Sequence, residues 1–296
     1  MASKKNRPVL VTEARREIPR LLQTIRDRDY YSVVSDFFEL SAISVRNNVD
    51  LGPEHDKLEK RYLDIASKYK REQLEVFASA LGLFIGEINA AMNGGALFRD
   101  FAGEIYMDSG TSNGRTGQFF TPYHVSRLMA SCTLERDEVL LRYESDPDHV
   151  LTLYEPTCGA GGIIVAAIDV LNSMGVNYAW NVFVDCGDID PRCVHMTYLT
   201  LSLLGVPAVV RLGDALMMDY HQAWFTPAYL FAWPHFKSRI GQGKYPASPT
   251  VQKAAENDAE PRKMVSLDDV KPVEEMLPKP HEITNVGIGE QLSLFG

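Results

Sequence analysis

Val150-Leu151-Thr152-Leu153-Tyr154, then Glu155-Pro156-Thr157-Cys158-Gly159-Ala160-Gly161-Gly162, then Ile163 to Met174 is the stretch that decides the fold. A short apolar run, a glycine-rich turn and an apolar helix closed by Gly175 make a strand–turn–helix unit. Glycines at such a turn let the backbone come close to a ligand, and the following helix N-terminus favours negative groups. Working outward, Val182–Val184 reads as a second strand and Pro191–Leu204 as a second helix closed by Gly205. Val206–Leu212 reads as a third strand, and Ala223–Trp233 holds a possible fourth. Strands alternating with helices of this length imply parallel βαβ units with right-handed crossovers.

Upstream, residues 9–130 read mostly as helix. From Asp56 to Met92 the residues Leu58, Tyr62, Ile65, Tyr69, Leu74, Phe77, Leu81, Phe84 and Ile88 recur every three or four positions, with a break near Lys70–Gln73. Asn93-Gly94-Gly95 ends the pattern with residues that tolerate left-handed geometry, and 109–118 is a run of turn formers. Downstream, 237–286 loses periodicity and carries Pro246, Pro249, Pro261, Pro272, Pro278 and Pro280, which reads as a disordered linker. The chain then closes on Gln291-Leu292-Ser293-Leu294-Phe295-Gly296, an apolar cluster at the end of a polar tail.

Composition sets outer limits. Of 296 residues, 45% are hydrophobic and 23% charged, as in ordinary globular domains. The first residues have no apolar core of a secretory signal behind them, and no run of eighteen apolar residues suggests a membrane span, so a cytoplasmic protein is expected. Cys132, Cys158, Cys186 and Cys193 show neither a CxxC pair nor histidines at zinc-ligand spacing, and read as reduced thiols with no metal. A net charge of −9 argues against coating nucleic acid over the whole surface. Residues 1–28 nevertheless hold eight Lys/Arg against Glu13, Glu17 and Asp27. Such an arm reads either as a phosphate contact or as a solvated helix face with a frayed terminus.

Three strand ends carry polar groups. Beside the glycine turn, the second strand ends in Gly187-Asp188-Ile189-Asp190-Pro191 and the third in Gly213-Asp214. An acid at a second strand's carboxyl end accepts hydrogens from ribose hydroxyls, and one at the third can accept from an adenine amine. Together they outline one crevice along the sheet edge for a nucleoside ligand. The alternative is that Asp190 and Asp214 only cap the helix or turn that follows.

In this order, Gly117-Gln118-Phe119-Phe120-Thr121-Pro122, Glu155 to Gly162, Gly187 to Pro191 and Gly213-Asp214 resemble the adenine-specific DNA methylase family, most closely the modification subunits of type I restriction-modification systems. The resemblance covers roughly residues 75–220. It implies an α/β fold: a Rossmann-like methyltransferase core over 109–236 behind a helical N-terminal region over 1–108 with its basic arm, with S-adenosylmethionine as cofactor. By that resemblance Phe119, Thr121 and Pro122 pack against the methionine end of the cofactor and Glu155 stands near its amino group. Gly159 and Gly161 are the close-approach glycines, Asp188 binds the ribose and Asp214 the adenine amine. Asp190 belongs more to the following turn, and Phe120 reads equally as core.

The family's Asn/Asp-Pro-Pro-Tyr/Phe segment is absent. Its role is to hydrogen-bond an exocyclic amine whose lone pair is delocalised into the base, while the aromatic ring stacks on that base. The best positional match is Thr226-Pro227-Ala228-Tyr229, with Thr226, Pro227 and Tyr229 as catalytic candidates; Trp233-Pro234-His235-Phe236 is a second. Seven strands are usual in such a sheet, and the sixty residues after Phe236 hold no three strand-like runs, so a truncated parallel sheet is expected, with an open edge covered by a helix, a second subunit or a second copy. Gln291, Leu292, Leu294 and Phe295 are similar to the bacterial sliding-clamp binding motif, at 291–296 behind a linker over 237–290; docking on the chain's own domain is the alternative. Two functions stay open: a DNA adenine-N6 methyltransferase acting on or near replicating DNA in a bacterial, plasmid or phage setting, or a catalytically inactive cofactor- or DNA-binding regulator.

Overall fold

The alternation of buried apolar side chains along three strands builds the centre of the molecule. The structure is a computed structural model and describes residues 9–94, 98–111 and 120–240. Its sheet has four strands in the order β1 (Leu151–Glu155), β2 (Val182–Asp188), β3 (Ala208–Asp214) and β4 (Asp219–Phe225). β1, β2 and β3 are parallel neighbours, and β4 returns antiparallel to β3. The helices are α1 (Val9–Leu22), α2 (Tyr30–Asn47), α3 (His55–Ala66), α4 (Arg71–Met92), α5 (Phe101–Tyr106), α6 (Tyr123–Thr133) and α7 (Arg136–Ser145) before the sheet. α8 (Gly162–Ser173), α9 (Tyr178–Asn181) and α10 (Pro191–Leu203) lie between strands, and α11 (Pro227–Phe231) and α12 (Trp233–Arg239) follow β4.

Period two divides the sheet's side chains between two cores. Val182, Val184, Cys186, Ala208, Val210 and Trp224 face the larger core, which continues without interruption through α8, α10 and the N-terminal helices. Phe183, Val209 and Phe225 face the other side, where Tyr229, Trp233, Phe236 and Ile240 cover them. α10 packs on α2 and on β3, so the helical region and the sheet share one core. α4 is long and apolar enough to cross a membrane by length and composition, but it packs on α1 and buries Phe77, Ala80, Leu81, Phe84 and Ile88 in that core. The helix break read at Lys70–Gln73 lies where α3 ends at Ala66 and α4 starts at Arg71. Of the loop read at 109–118, residues 109–111 close a π-helical turn, Met107–Thr111, and 112–118 lie outside the described residues.

The fourth strand differs from its sequence reading. It spans Asp219–Phe225, so only the first three residues of the stretch Ala223–Trp233 expected to hold it are strand, and it is not a parallel strand. Only Ala215–Met218 separates it from β3, too short for a parallel crossover, which needs a dozen residues or more. Met218 makes the turn at φ +55°, an unusual conformation for a side chain other than glycine. Pro227 and Pro234 then stand in the first turns of α11 and α12, where the missing N–H costs nothing. Residues 237–239, read as the start of a linker, close α12.

The hairpin decides where the candidate tetrapeptide sits. Thr226 lies beside Ala208 at the amino end of β3, about 20 Å of strand away from Asp214 at its carboxyl end. Its side chain is fully buried: Oγ1 donates to the Val206 carbonyl (2.8 Å) and accepts from the Ala208 amide (2.9 Å). Tyr229 is fully buried too, between the rings of Phe183, Phe225 and Trp233. Thr226, Pro227 and Tyr229 therefore tie the hairpin to the sheet and do not reach the carboxyl edge. Trp233 and Phe236 belong to the same small core.

Two outcomes follow from this packing. Thr226→Val keeps the shape but leaves the Val206 carbonyl and the Ala208 amide unpaired, and should cost about 1–3 kcal/mol in urea unfolding with an unchanged slope; a midpoint equal to wild type would contradict it. His195, on α10 against Trp224, is pushed down to about 4 by burial, with Glu39 opposing and Arg61 and Arg46 adding to the shift. Because the folded value lies below the ordinary 6.5, this histidine's contribution is complete above pH 6.5 and is lost as pH falls toward 4. His195→Gln should flatten the loss of stability between pH 6.5 and 4, measured by urea midpoints across that range.

Candidate functional site

Four segments meet at the carboxyl end of the parallel strands. The turn after β1 holds Gly159 at φ +55° and Gly161 at φ +90°, left-handed geometry that glycine alone adopts without strain. Hydrogen bonds pin this turn from several sides. Gly159 N–H donates to Asp188 Oδ2 (2.9 Å) at the end of β2, and Cys158 N–H donates to the Gly187 carbonyl (2.8 Å). From α10, the buried Thr197 hydroxyl donates to the Gly159 carbonyl (2.8 Å). Close packing completes the turn. A Cβ on Gly159 would stand 3.1 Å from the Phe120 ring, one on Gly161 3.1 Å from Thr197 Oγ1, and one on Gly162 2.7 Å from Asp100 Oδ2.

The three strand-end acids share one design. Asp188 Oδ1 accepts from the Asp190 amide (2.9 Å) while Oδ2 holds Gly159. Asp214 Oδ1 accepts from Leu216 N–H (2.8 Å) and Met217 N–H (3.2 Å). Glu155 Oε1 accepts from Thr157 N–H (3.0 Å) and from its hydroxyl (3.1 Å). Backbone donors thus fix each carboxylate, and the lone pairs left over can still accept from a ligand. Asp214 Oδ2 and Glu155 Oε2 carry no hydrogen bond among the described residues. Asp190 is different: it caps α10 through the Arg192 amide (2.9 Å) and pairs with that arginine's guanidinium, the turn role read from the sequence. Ile189 and Leu216 stand beside the acids and are 68% and 95% exposed, an apolar surface open to a flat base.

The Phe120-Thr121-Pro122 segment enters from the other side. Phe120 is half-buried between Tyr106 and the glycine turn, whereas Thr121 and Pro122 are exposed just before α6. Asp169 on α8 holds α6 in place by accepting from Arg127 Nε (2.7 Å) and the Tyr123 hydroxyl (3.2 Å). Phe119 lies outside the described residues, as do Gln291, Leu292, Leu294 and Phe295. In the basic arm, Arg15 pairs with Glu104, Arg20 with Glu17, and Arg28 lies over Tyr69, while Lys4, Lys5 and Arg7 precede the described residues.

The structure brings Glu155, Gly159, Gly161, Asp188 and Asp214 to one edge and leaves Thr226, Pro227 and Tyr229 at the opposite one. Sequence reasoning missed Thr197 and Asp100. Thr197 is a polar position inside an apolar helix, and Asp100 precedes Gly103 at N-cap spacing; those were the only signals. The residues present fit S-adenosylmethionine. The turn has no room for a Cβ, and the acids keep acceptors where ribose and an amine would donate. Asp188→Ala removes a charge-assisted acceptor and the anchor of Gly159, and should weaken cofactor binding about 10- to 100-fold in calorimetry; an unchanged affinity would remove Asp188 from the site.

The sequence profile of the N-6 DNA methylase family matches residues 99–263. No curated protein sequence matches this one. One similar solved structure is a class I S-adenosylmethionine-dependent methyltransferase from Listeria monocytogenes, with 14% identity and a TM-score of 0.35 over 69% of this chain and 55% of that one. Another is the type I restriction-modification methyltransferase subunit of Streptococcus thermophilus, with 14% identity and a TM-score of 0.34 over 72% of this chain and 60% of that one. The chain thus spans little more than half the length of either. With more than half of its residues matched by the family, and the glycine turn and all three strand-end acids inside the match, the chain belongs to the N-6 DNA methylase family, whose cofactor is S-adenosylmethionine.

Proposed function

We propose that this chain forms the cofactor-binding wall of an S-adenosylmethionine-dependent DNA adenine-N6 methyltransferase. The observation that carries the reading is the convergence of Glu155, Asp188 and Asp214 around a turn pinned by Thr197 and Asp188. When bound, the cofactor supplies an electrophilic methyl group. The chain's own residues orient it: Asp188 toward the ribose hydroxyls, Asp214 toward the adenine amine, Ile189 and Leu216 along the base. The family match supports DNA as substrate. The setting is the cytoplasm of a bacterium or its plasmid or phage.

A second reading has its own observation. The target amine needs an acceptor and a stacking ring at the carboxyl edge, and Thr226, Pro227 and Tyr229 are buried at the other end of the sheet. On that ground the chain acts as a cofactor- or DNA-binding regulator without turnover, or a second subunit supplies the missing wall. β1 pairs only with β2 among the described residues, and Thr152 and Tyr154 on it are exposed, which supports a partner at that edge. The C-terminal Gln291, Leu292, Leu294 and Phe295 support a sliding clamp as a further partner.

Labelled S-adenosylmethionine and calorimetry on one sample separate these readings. Methyl incorporation into adenine supports the methyltransferase. Saturable binding with no incorporation at high protein concentration supports the regulator or the incomplete assembly, and co-purification of a second chain that restores transfer selects the latter. Absence of cofactor binding overturns the methyltransferase and the cofactor-binding regulator, and leaves only a module that binds DNA. For the tail, Phe295→Ala should abolish clamp pull-down; retention of the variant would exclude the peptide.

A further inference from the structure

Asp100 is a buried carboxylate that none of the roles above uses. It is 6% exposed and caps α5, where Oδ1 accepts from Gly103 N–H (2.9 Å). Oδ2 carries no hydrogen bond among the described residues. It lies against the residue that opens α8, since a Cβ on Gly162 would meet it at 2.7 Å. The carboxylate therefore stands at the glycine turn, beside the positive end of that helix.

No cation of the described chain answers this charge. The neighbouring arginines, Arg15 and Arg99, both pair with Glu104 (3.1 and 3.7 Å). The other titratable groups around it are Glu104 on its own helix, Tyr123 of α6, which donates to Asp169 of α8, and Glu87 of α4 in the same Arg99–Glu104 group. None of them is a free positive group. A buried carboxylate without a counter-charge is costly. Burial pushes Asp100 up to about 6, against the Gly103 hydrogen bond that lowers it and with Glu104 adding to the rise. At neutral pH it is still mostly ionised.

The ligand of this turn brings the missing charge. S-adenosylmethionine has two cationic groups, a sulfonium with no hydrogen to donate and an α-ammonium with three. A single open carboxylate oxygen matches the second. We propose that Asp100 is a cofactor-contact residue whose Oδ2 accepts a hydrogen bond from the α-ammonium of S-adenosylmethionine. It is then an acid for that group besides Glu155. The proposal rests on the cofactor reading above.

Calorimetry on the full chain tests it with three ligands: S-adenosylmethionine; S-adenosylhomocysteine, which keeps the ammonium and loses the sulfonium; and 5′-methylthioadenosine, which lacks the amino-acid part. Asp100→Asn keeps an acceptor for Gly103. At pH 7 it should bind the first two at least tenfold more weakly and the third as wild type does. Wild-type affinity for the first two should fall about tenfold from pH 7 to pH 5 as Asp100 takes up its proton, and the fall should be absent with 5′-methylthioadenosine and in the variant. The unliganded variant should melt no lower than wild type at pH 7, because the folded value lies above the ordinary 3.8 and the ionised form is the destabilised one. Affinities within twofold of wild type, or an equal loss for all three ligands, would overturn the proposal. Should the variant not fold, a wild-type affinity for the first two ligands that is unchanged from pH 7 to pH 5 would still overturn the proposal. A wild-type chain that binds none of the three ligands would instead overturn the cofactor reading itself.

Discussion

The close approach of backbone at Gly159–Gly162 is the constraint on which the rest of the structure depends. Phe120, Thr197 and Asp100 all stand where a side chain on one of these residues would have to go. They come from the segment before α6, from α10 and from the start of α5, so three distant parts of the chain are set by one turn. Asp188 adds a fourth by holding the Gly159 amide from β2. The Cys158, Gly159 and Gly161 amides are spent on the Gly187 carbonyl, Asp188 and the Cys158 carbonyl, so the turn presents a fixed backbone surface without side chains. That is what a close-fitting nucleoside ligand needs.

The N-terminal helices complete this turn. α5 supplies Asp100 and places Tyr106 against Phe120, while α2 packs on α10, which carries Thr197. Arg46 of α2 lies over the Trp224 ring of β4, and His195 and Tyr198 of α10 meet the same ring. The helical region is therefore continuous with the core beneath the carboxyl edge of the strands. Loosening α2 or α5 would loosen the turn.

The two ends of the sheet carry different chemistry. The carboxyl edge has acids with unused acceptors and exposed Ile189 and Leu216, the pattern of a surface waiting for a polar ligand with a flat base. The amino edge has Thr226 and Tyr229 locked into a small aromatic core with Phe183, Phe225, Trp233 and Phe236. A proline-flanked aromatic tetrapeptide looks the same in either place when only its composition is read. The antiparallel return of β4 separates them.

Local physics made much of this legible in the sequence. The 3.6-residue period of 56–92, the short apolar strand runs, the glycine turn and the acids at three strand ends depend on neighbours in the chain, and they stand where local pattern placed them. What local pattern missed depends on distant neighbours. The direction of β4 follows from the four-residue link Ala215–Met218, whose left-handed residue is Met218 and not a glycine that would have marked the turn. The burial of Thr226 follows from the Val206 and Ala208 backbone twenty or so residues earlier. Asp100 became a charge at the glycine turn only through its approach to Gly162 at the start of α8, because a lone aspartate before a helix carries no trace of what it will face. The sequence by itself determined that a glycine turn and three acids stand at the ends of the strands, since those are strand-end properties. Tertiary structure alone decided which residues share that edge, because only folding sets strand direction and brings residues 60 positions apart into contact.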